Sequence, residues 1–186
     1  MTPPIPLPVD VALARAVTDL PTGAGLSLEP KRDGWRAVLR TGPGPGRVLS
    51  RHGSDLTRAM ADVADSAEQV APAVLDGELV AVLPDGDISF RLLQSRAGKG
   101  PRPGAGFHVV FTAFDLLATG TGVDADRRRL PYTQRRGLLL ALPDDAPPTI
   151  RPTPATEGPD EARTWVGALG GGIEGVVTTS LLSRCV

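Results

Sequence analysis

Lysine is almost missing from this chain: of its twenty basic residues only Lys31 and Lys99 are lysines, and the rest are arginines. Cysteine is scarcer still. The single Cys185 excludes an internal disulfide and fits a reducing, intracellular setting. Charge of one sign is lacking too. With a net charge of −1, the chain has no global basic footprint of a nucleic-acid binder, although local basic patches remain open to it. No apolar run approaches the length of a membrane span, and the amino terminus MTPPIPLPVD has neither a basic nor an apolar signal region. A soluble, cytoplasmic protein is expected. Gly and Pro, with 22 and 19 residues, imply many loops without reaching a low-complexity composition. At 186 residues there is material for one substantial core, or for a domain and a fragment of another.

Mixed helical and strand patterning without regular β-α-β alternation predicts the α+β class, with antiparallel β-sheets flanked by helices. After a Pro-rich leader, Asp10 reads as an N-cap for a helix over Val11 to Leu20, with Leu13, Ala14, Val17 and Leu20 inward. Leu26 to Lys31, Trp35 to Arg40 and Arg47 to Ser50 read as an antiparallel meander turning at Asp33-Gly34. Ser54-Asp55 opens a helix with the stripe Leu56, Met60, Val63, Ala67, Val70. Val74 to Leu83 reads as hairpin strand reversed at Pro84-Asp85-Gly86, and Phe90 to Arg96 as a short helix. Phe107 to Leu117 is the most hydrophobic strand. A basic helix with Leu138, Leu139 and Leu140 inside follows the Arg127 to Arg129 cluster. A proline-rich linker, Pro143 to Pro154, precedes a helix over Pro159 to Leu169 and a last strand, Ile173 to Thr178.

Lys31 is where the chemistry concentrates. A chain this partial to arginine that keeps a lysine beside Asp33-Gly34 has a use for a group that can lose its proton and attack as an amine. Partial burial and the neighbouring cations Arg32 and Arg36 would push its pKa in the required direction. A lysine on a solvated hairpin is the plain alternative. Arg51, at a strand end before Gly53, could meet an anion with its planar fork, or could simply be solvated. His52 beside it reads as a turn histidine. Glu78 in LDGEL sits among apolar residues, where a carboxylate needs a metal, a hydroxyl or a cation, unless it points outward. Phe114 could stack on a base or belong to the core. Glu174 lies in an apolar strand beside glycines that admit close backbone approach.

Taken in order, Glu29-x-Lys31-x-Asp33-Gly34-x-Arg36, Ser50-Arg51-His52-Gly53, Leu75-Asp76-Gly77-Glu78-Leu79, Phe114-Asp115-Leu116-Leu117 and Glu174-Gly175-Val176-Val177 resemble motifs I, Ia, III, IIIa and IV of the covalent nucleotidyltransferases. Connecting stretches such as FRLLQSR and LPYTQRRGLLL are similar to the bacterial ATP-dependent DNA ligases rather than to capping enzymes. The resemblance implies an ATP-grasp-like adenylation domain over residues 25–178, after a leader at 1–24 and before a divergent tail at 179–186. It implies a lysyl-AMP intermediate and AMP transfer to a 5′-phosphate at a DNA nick, for repair, replication or recombination. Lys31 would be the nucleophile and Glu29 would sit at adenine. Asp33 and Arg36 would serve the ribose and its surroundings, and Arg51 a nucleic-acid phosphate. Glu78 would hold the ribose, Phe114 the adenine ring, and Glu174 the metal, with ATP and Mg²⁺ as cofactors. Nicked double-stranded DNA is the implied partner, and a monomer the implied state.

The family pattern breaks at Thr179, where a lysine is expected five residues after the motif IV glutamate. Motif V and the OB-fold domain do not follow, which leads us to expect a truncated or frameshifted product. A non-catalytic nucleotide-binding remnant and an inert fragment are the alternatives that this departure raises.

Overall fold

Apolar residues on both faces of the strands build the main sheet, and the glycines of Asp33-Gly34 and Asp76-Gly77 let the chain pass close beside neighbouring strands. The computed structural model describes residues 5–21, 23–97, 99–102, 104–142, 147–167 and 172–185. Its elements are β1 (Leu26–Arg32), β2 (Trp35–Arg40), β3 (Arg47–Ser50), α1 (Ala61–Ala67), β4 (Ala73–Val82), α2 (Phe90–Ala97), β5 (His108–Thr119), α3 (Tyr132–Leu140), β6 (Ile150–Pro152), α4 (Pro159–Gly167) and β7 (Ile173–Ser180). Five strands form a mixed sheet in the order β3-β2-β4-β5-β6, in which only the β5–β6 pair is parallel. β1 and β7 form a separate antiparallel pair. The α+β reading holds, as mixed sheets with few helices.

The expected meander of the first three strands does not form. β2 pairs with β3 and β4, whereas β1 pairs with β7, some 140 residues later in the chain. Asp33-Gly34 is therefore a crossing between sheets, not a hairpin. Gly34 makes the crossing possible: a Cβ there would lie 2.5 Å from Glu78 Cγ and 2.5 Å from the Leu79 carbonyl oxygen. Gly77 does the same inside the sheet, where a Cβ would lie 2.6 Å from the Phe111 ring. Adjacent strands can close on these positions because nothing projects from them.

Both faces of the main sheet are covered, which explains why Ala37, Val38 and Leu39 are all buried in succession. One face packs Leu39, Leu75, Leu79 and Phe111 against Met60, Val63 and Ala67. The other packs Val38, Val74 and Leu117 against Ile5, Val9 and Cys185. The leader thus contributes core as an extended segment. No helix forms over residues 11–20, and Leu13 and Val17 stand 63% exposed. A ten-residue helix is marginal in water without an apolar face to pack, and here the buried contacts fall on Ile5 and Val9 instead.

The helix expected from Ser54 begins at Ala61, after turns, yet its whole stripe from Leu56 to Val70 is buried as the spacing requires. Val74 to Leu83 is one long strand, and the reversal after it returns only as the Val82–Ile88 bridge. The proline-rich linker contains β6, paired beside Phe111 to Ala113; residues 143–146 lie outside the described residues, as do 168–171 at the end of the last helix. On α3, three consecutive leucines cannot share one face of a 3.6-residue turn. The inward positions are Tyr132, Arg135 and Leu139, while Leu138 and Leu140 are 36% and 55% exposed. Among the described residues no helix is long and apolar enough to cross a membrane.

This geometry separates three adjacent leucines. Leu139→Ala is expected to cost about 2–5 kcal/mol, lowering Tm by roughly 2–4 °C per kcal/mol, whereas Leu138→Ala and Leu140→Ala should each stay within about 0.5 kcal/mol. Thermal melts of the three variants check this; equal losses at all three positions would overturn the assigned helix face.

Candidate active site

Because β1 and β2 belong to different sheets, the motif around Lys31 spans a cleft. A cavity of about 380 Å³ opens there, lined by Glu29 and Lys31 from β1, Arg36 from β2, Glu78 from β4 and Phe114 from β5. β7 contributes Thr178, Thr179 and Ser180 to the facing wall. Glu29 and Lys31 are two apart on one strand, so both side chains leave the same face.

At one end, Glu29 is only 4% exposed. Tyr132 donates its hydroxyl to Glu29 Oε1 at 2.6 Å, and Arg136 Nη1 approaches the same oxygen at 3.4 Å. Burial pushes the Glu29 carboxyl up to about 7, against the pull of Tyr132 and Arg136. The Tyr132 hydroxyl is held well above its ordinary value, first by its own burial and then by the Glu29 charge. Arg136 also donates to the Thr153 carbonyl, tying α3 to the segment after β6.

At the centre, Arg36 lies directly across from Glu78, with Asp76 two positions along the same strand. Its guanidinium makes a fork to Asp76, Nε to Oδ1 at 3.1 Å and Nη2 to Oδ2 at 2.7 Å. The same group stands 5.2 Å from the centroid of the Phe114 ring, a cation–π arrangement. Asp76 is buried, and this pushes its carboxyl up to about 6 despite Arg36. Burial also pushes Glu78 up to about 7, with Lys31 and Arg36 drawing it down and Glu174 and Asp33 adding to the rise. Beneath them Arg135, 2% exposed, makes a second fork to Asp115 at 2.8 Å for each bond, and donates to the Leu130 and Ser183 carbonyls.

At the mouth, Lys31 Nζ is ion-paired with Glu174, and both side chains are about half exposed. The strand register explains the meeting. Lys31 pairs with Gly175 and Arg32 with Ile173, so Glu174 is the extra residue of a β-bulge. Lys31 is thus more exposed than its motif suggested, and its direct partner is a carboxylate rather than Arg32 or Arg36.

Five of the expected site residues, Glu29, Lys31, Arg36, Glu78 and Phe114, therefore line one cavity, and Glu174 joins them through Lys31. Asp33 and Arg51 do not line it. Asp33 is held by its backbone N–H on the Gly172 carbonyl, and Arg51 is exposed, its N–H on the Arg36 carbonyl. Sequence reasoning passed over Tyr132, Arg135 and Arg136, which read only as part of a basic helix. Their 3.6-residue spacing beside Tyr132 was the available signal. It also passed over Asp76, although a second carboxylate two residues before Glu78 on a strand must share its face. Among the described residues no group of three His, Cys, Asp or Glu side chains forms a ready metal cage. Glu174 and Glu78 are nonetheless hard oxygen donors beside Lys31, a set that suits Mg²⁺, which takes one or two carboxylates and completes its shell with water and phosphate.

Raised carboxyl values make stability depend on pH with a definite sign. A buried acid whose folded pKa is above its unfolded one destabilises the fold as pH rises from about 4.5 to about 7, because only the unfolded state then releases the proton. Above that window the cost is constant. Asp55, held near about 2 by Thr57 and Arg47, acts only below it. Glu29→Gln should therefore gain stability relative to the unmodified chain between pH 4.5 and 7.5. Urea melts at the two pH values read this difference, and a pH-independent difference would refute the assigned shift.

The comparisons with known proteins agree with this geometry. Residues 11–184 match the family described as ATP dependent DNA ligase domain. DNA ligase C2 of Mycolicibacterium smegmatis is 34% identical over 186 residues, covering 96% of this chain and 51% of the relative. DNA ligase 1 of Korarchaeum cryptofilum is 30% identical over 164 residues, covering 84% of this chain and 30% of the relative. The ligase domain of Mycobacterium tuberculosis LigD superposes with a TM-score of 0.66 at 26% identity, over 87% of this chain and 50% of that one. A mycobacterial DNA ligase D complexed with ATP gives 0.64 at the same identity and coverage. The chain spans about half the length of the first curated relatives it matches. Nothing in these likenesses favours a remnant that only binds nucleotide. The chain belongs to the ATP-dependent DNA ligase family, as part of its adenylation domain.

Proposed function

We propose that this chain carries out the nucleotidyl-transfer chemistry of an ATP-dependent DNA ligase, with Lys31 as the nucleophile. The observation that carries this reading is Lys31 at the mouth of a cavity that also holds Glu29, Arg36, Glu78 and Phe114. Lys31 Nζ, as the free amine, would attack the α-phosphorus of ATP. An N–P bond forms, the bond from the α-phosphorus to the bridging oxygen breaks, and pyrophosphate leaves. Glu174 touches the ammonium and is placed to take its proton beforehand. AMP would then pass to a 5′-phosphate at a nick in duplex DNA, and the adjacent 3′-hydroxyl would displace it.

Glu29, fixed by Tyr132 and Arg136, offers a polar edge at the closed end of the cavity, where adenine would lie. Phe114 offers a ring face for the base, and Glu78 an acceptor for ribose hydroxyls. Arg36 is committed to Asp76 and to the Phe114 ring, so its part is to hold that ring and the ribose wall in place. Arg51 and Asp33 lie outside the cavity, and Arg51 remains the residue assigned to nucleic-acid phosphate. Glu174 would hold Mg²⁺, which when bound neutralises phosphate charge. The non-homologous end joining DNA repair named for a LigD relative supports assigning this chemistry to DNA repair. A cytoplasmic monomer is the working form we assign.

Incubation with α-labelled ATP and Mg²⁺ followed by a denaturing gel tests the reading. A labelled band is expected from the unmodified chain and none from Lys31→Ala. A well-folded chain that never labels would defeat the proposal. Phe114→Ala should weaken ATP binding by about 1–3 kcal/mol, the worth of one base stacked on an aromatic ring, a rise in Kd of at least about fivefold by calorimetry.

A further inference from the structure

Arg32, between Lys31 and Asp33, is a cation that neither the motifs nor the proposed chemistry employs. It lines the same cavity as Lys31 although strict strand alternation would send the two side chains to opposite faces. The bulge between Lys31 and Arg32 adds local twist at that point. Arg32 is half-buried, and its Nε is fully enclosed without a hydrogen-bond partner. Among the described residues it has no ion pair within 4 Å. Glu78 is the opposing charge that acts on it, through space. A buried donor left unsatisfied is costly, and a guanidinium is built to satisfy its fork on carboxylate or phosphate. The facing wall supplies hydroxyls at Thr178, Thr179 and Ser180 but no charge. An anion entering between Lys31 and that wall would find Arg32 as a cation without a direct partner.

We propose that Arg32 is a phosphate-binding residue of this cavity, its guanidinium meeting the triphosphate of the nucleotide on which Lys31 acts. The inference rests on reading the cavity as the nucleotide site. It assigns Arg32 a share of the charge neutralisation that Thr179, uncharged, does not provide.

Calorimetric titration with α,β-methylene-ATP, which cannot transfer AMP, with adenosine and with a 5′-phosphorylated nicked duplex tests the assignment in the unmodified chain, Arg32→Gln and Arg32→Lys. Arg32→Gln should raise the Kd for the triphosphate about tenfold and leave that for adenosine unchanged. Arg32→Lys should fall between, because it keeps the charge and loses the fork; should Arg32→Gln not fold, the lysine variant carries the comparison. Unchanged triphosphate affinity, an equal loss for both ligands, or a loss confined to a 5′-phosphorylated nicked duplex would each overturn the proposal. An unmodified chain that binds neither nucleotide would instead defeat the reading of the cavity itself.

Discussion

The close passage at Gly34, where no side chain could stand between the chain and Glu78, is the constraint from which the site follows. It lets the backbone leave one sheet and enter another within two residues. Lys31 is thereby anchored through β1 to β7, and Arg36 through β2 to β4. A hairpin at the same place would have put both on one surface, with no volume between them. The crossing creates an inside. The β7 bulge then brings Glu174 out of the ladder and onto Lys31, so ammonium and carboxylate meet across the β1–β7 pair.

Around that volume the chain buries several ionisable groups, and three of the carboxylates are answered locally. Asp76 has the Arg36 fork, Asp115 the Arg135 fork, and Glu29 has Tyr132 and Arg136. Such pairs are poor sources of net stability, because desolvation of both charges consumes much of their attraction. Their effect is on geometry. A guanidinium held at two points by a carboxylate fixes the plane in which it lies, and Arg36 so fixed holds the face of Phe114. The raised carboxyl values of Asp76, Glu29 and Glu78 measure what this arrangement costs. A fold that only needed a core could have filled these positions with apolar groups.

Much of this was legible in the sequence, and the reasons for the rest are physical. Strands β1 to β5 showed themselves through short alternating or apolar runs bounded by glycine and proline, and the α1 stripe through its period. What local pattern cannot supply is partner choice. Nothing within Leu26 to Arg40 says that β1 pairs with Ile173 to Ser180 rather than with the strand two residues away, since both options satisfy the same alternation. The leader misled for a related reason. Val11 to Leu20 has helical spacing, but the extended path buries Ile5 and Val9 against Val38 and Leu117, and burial outweighs propensity over ten residues. The site residues declared by motif fell into one cavity where the motif lay on strands. Arg51 and Asp33, at turns, did not line it, because a turn residue's direction is not set by the pleat.

The cavity's two long walls differ in kind. β1 carries Lys31 and Arg32, and the tail beyond β7 brings Arg184 to the lining; β7 itself presents Thr178, Thr179 and Ser180. Hydroxyls can donate to a phosphate oxygen but hold no net charge, and in a partly enclosed site the difference is large, because Coulomb interactions strengthen as water is excluded. Neutralisation of any phosphate bound here must therefore come from the β1 side, from the tail and from a divalent ion. Against that hydroxyl wall, the arginine directly after the lysine adds a second cation to the β1 side of the lining. The scarcity of lysine fits as well. Arginine supplies charge and fork where a fixed cation is wanted, and lysine is the residue that can also give up its proton, as the proposed role of Lys31 requires.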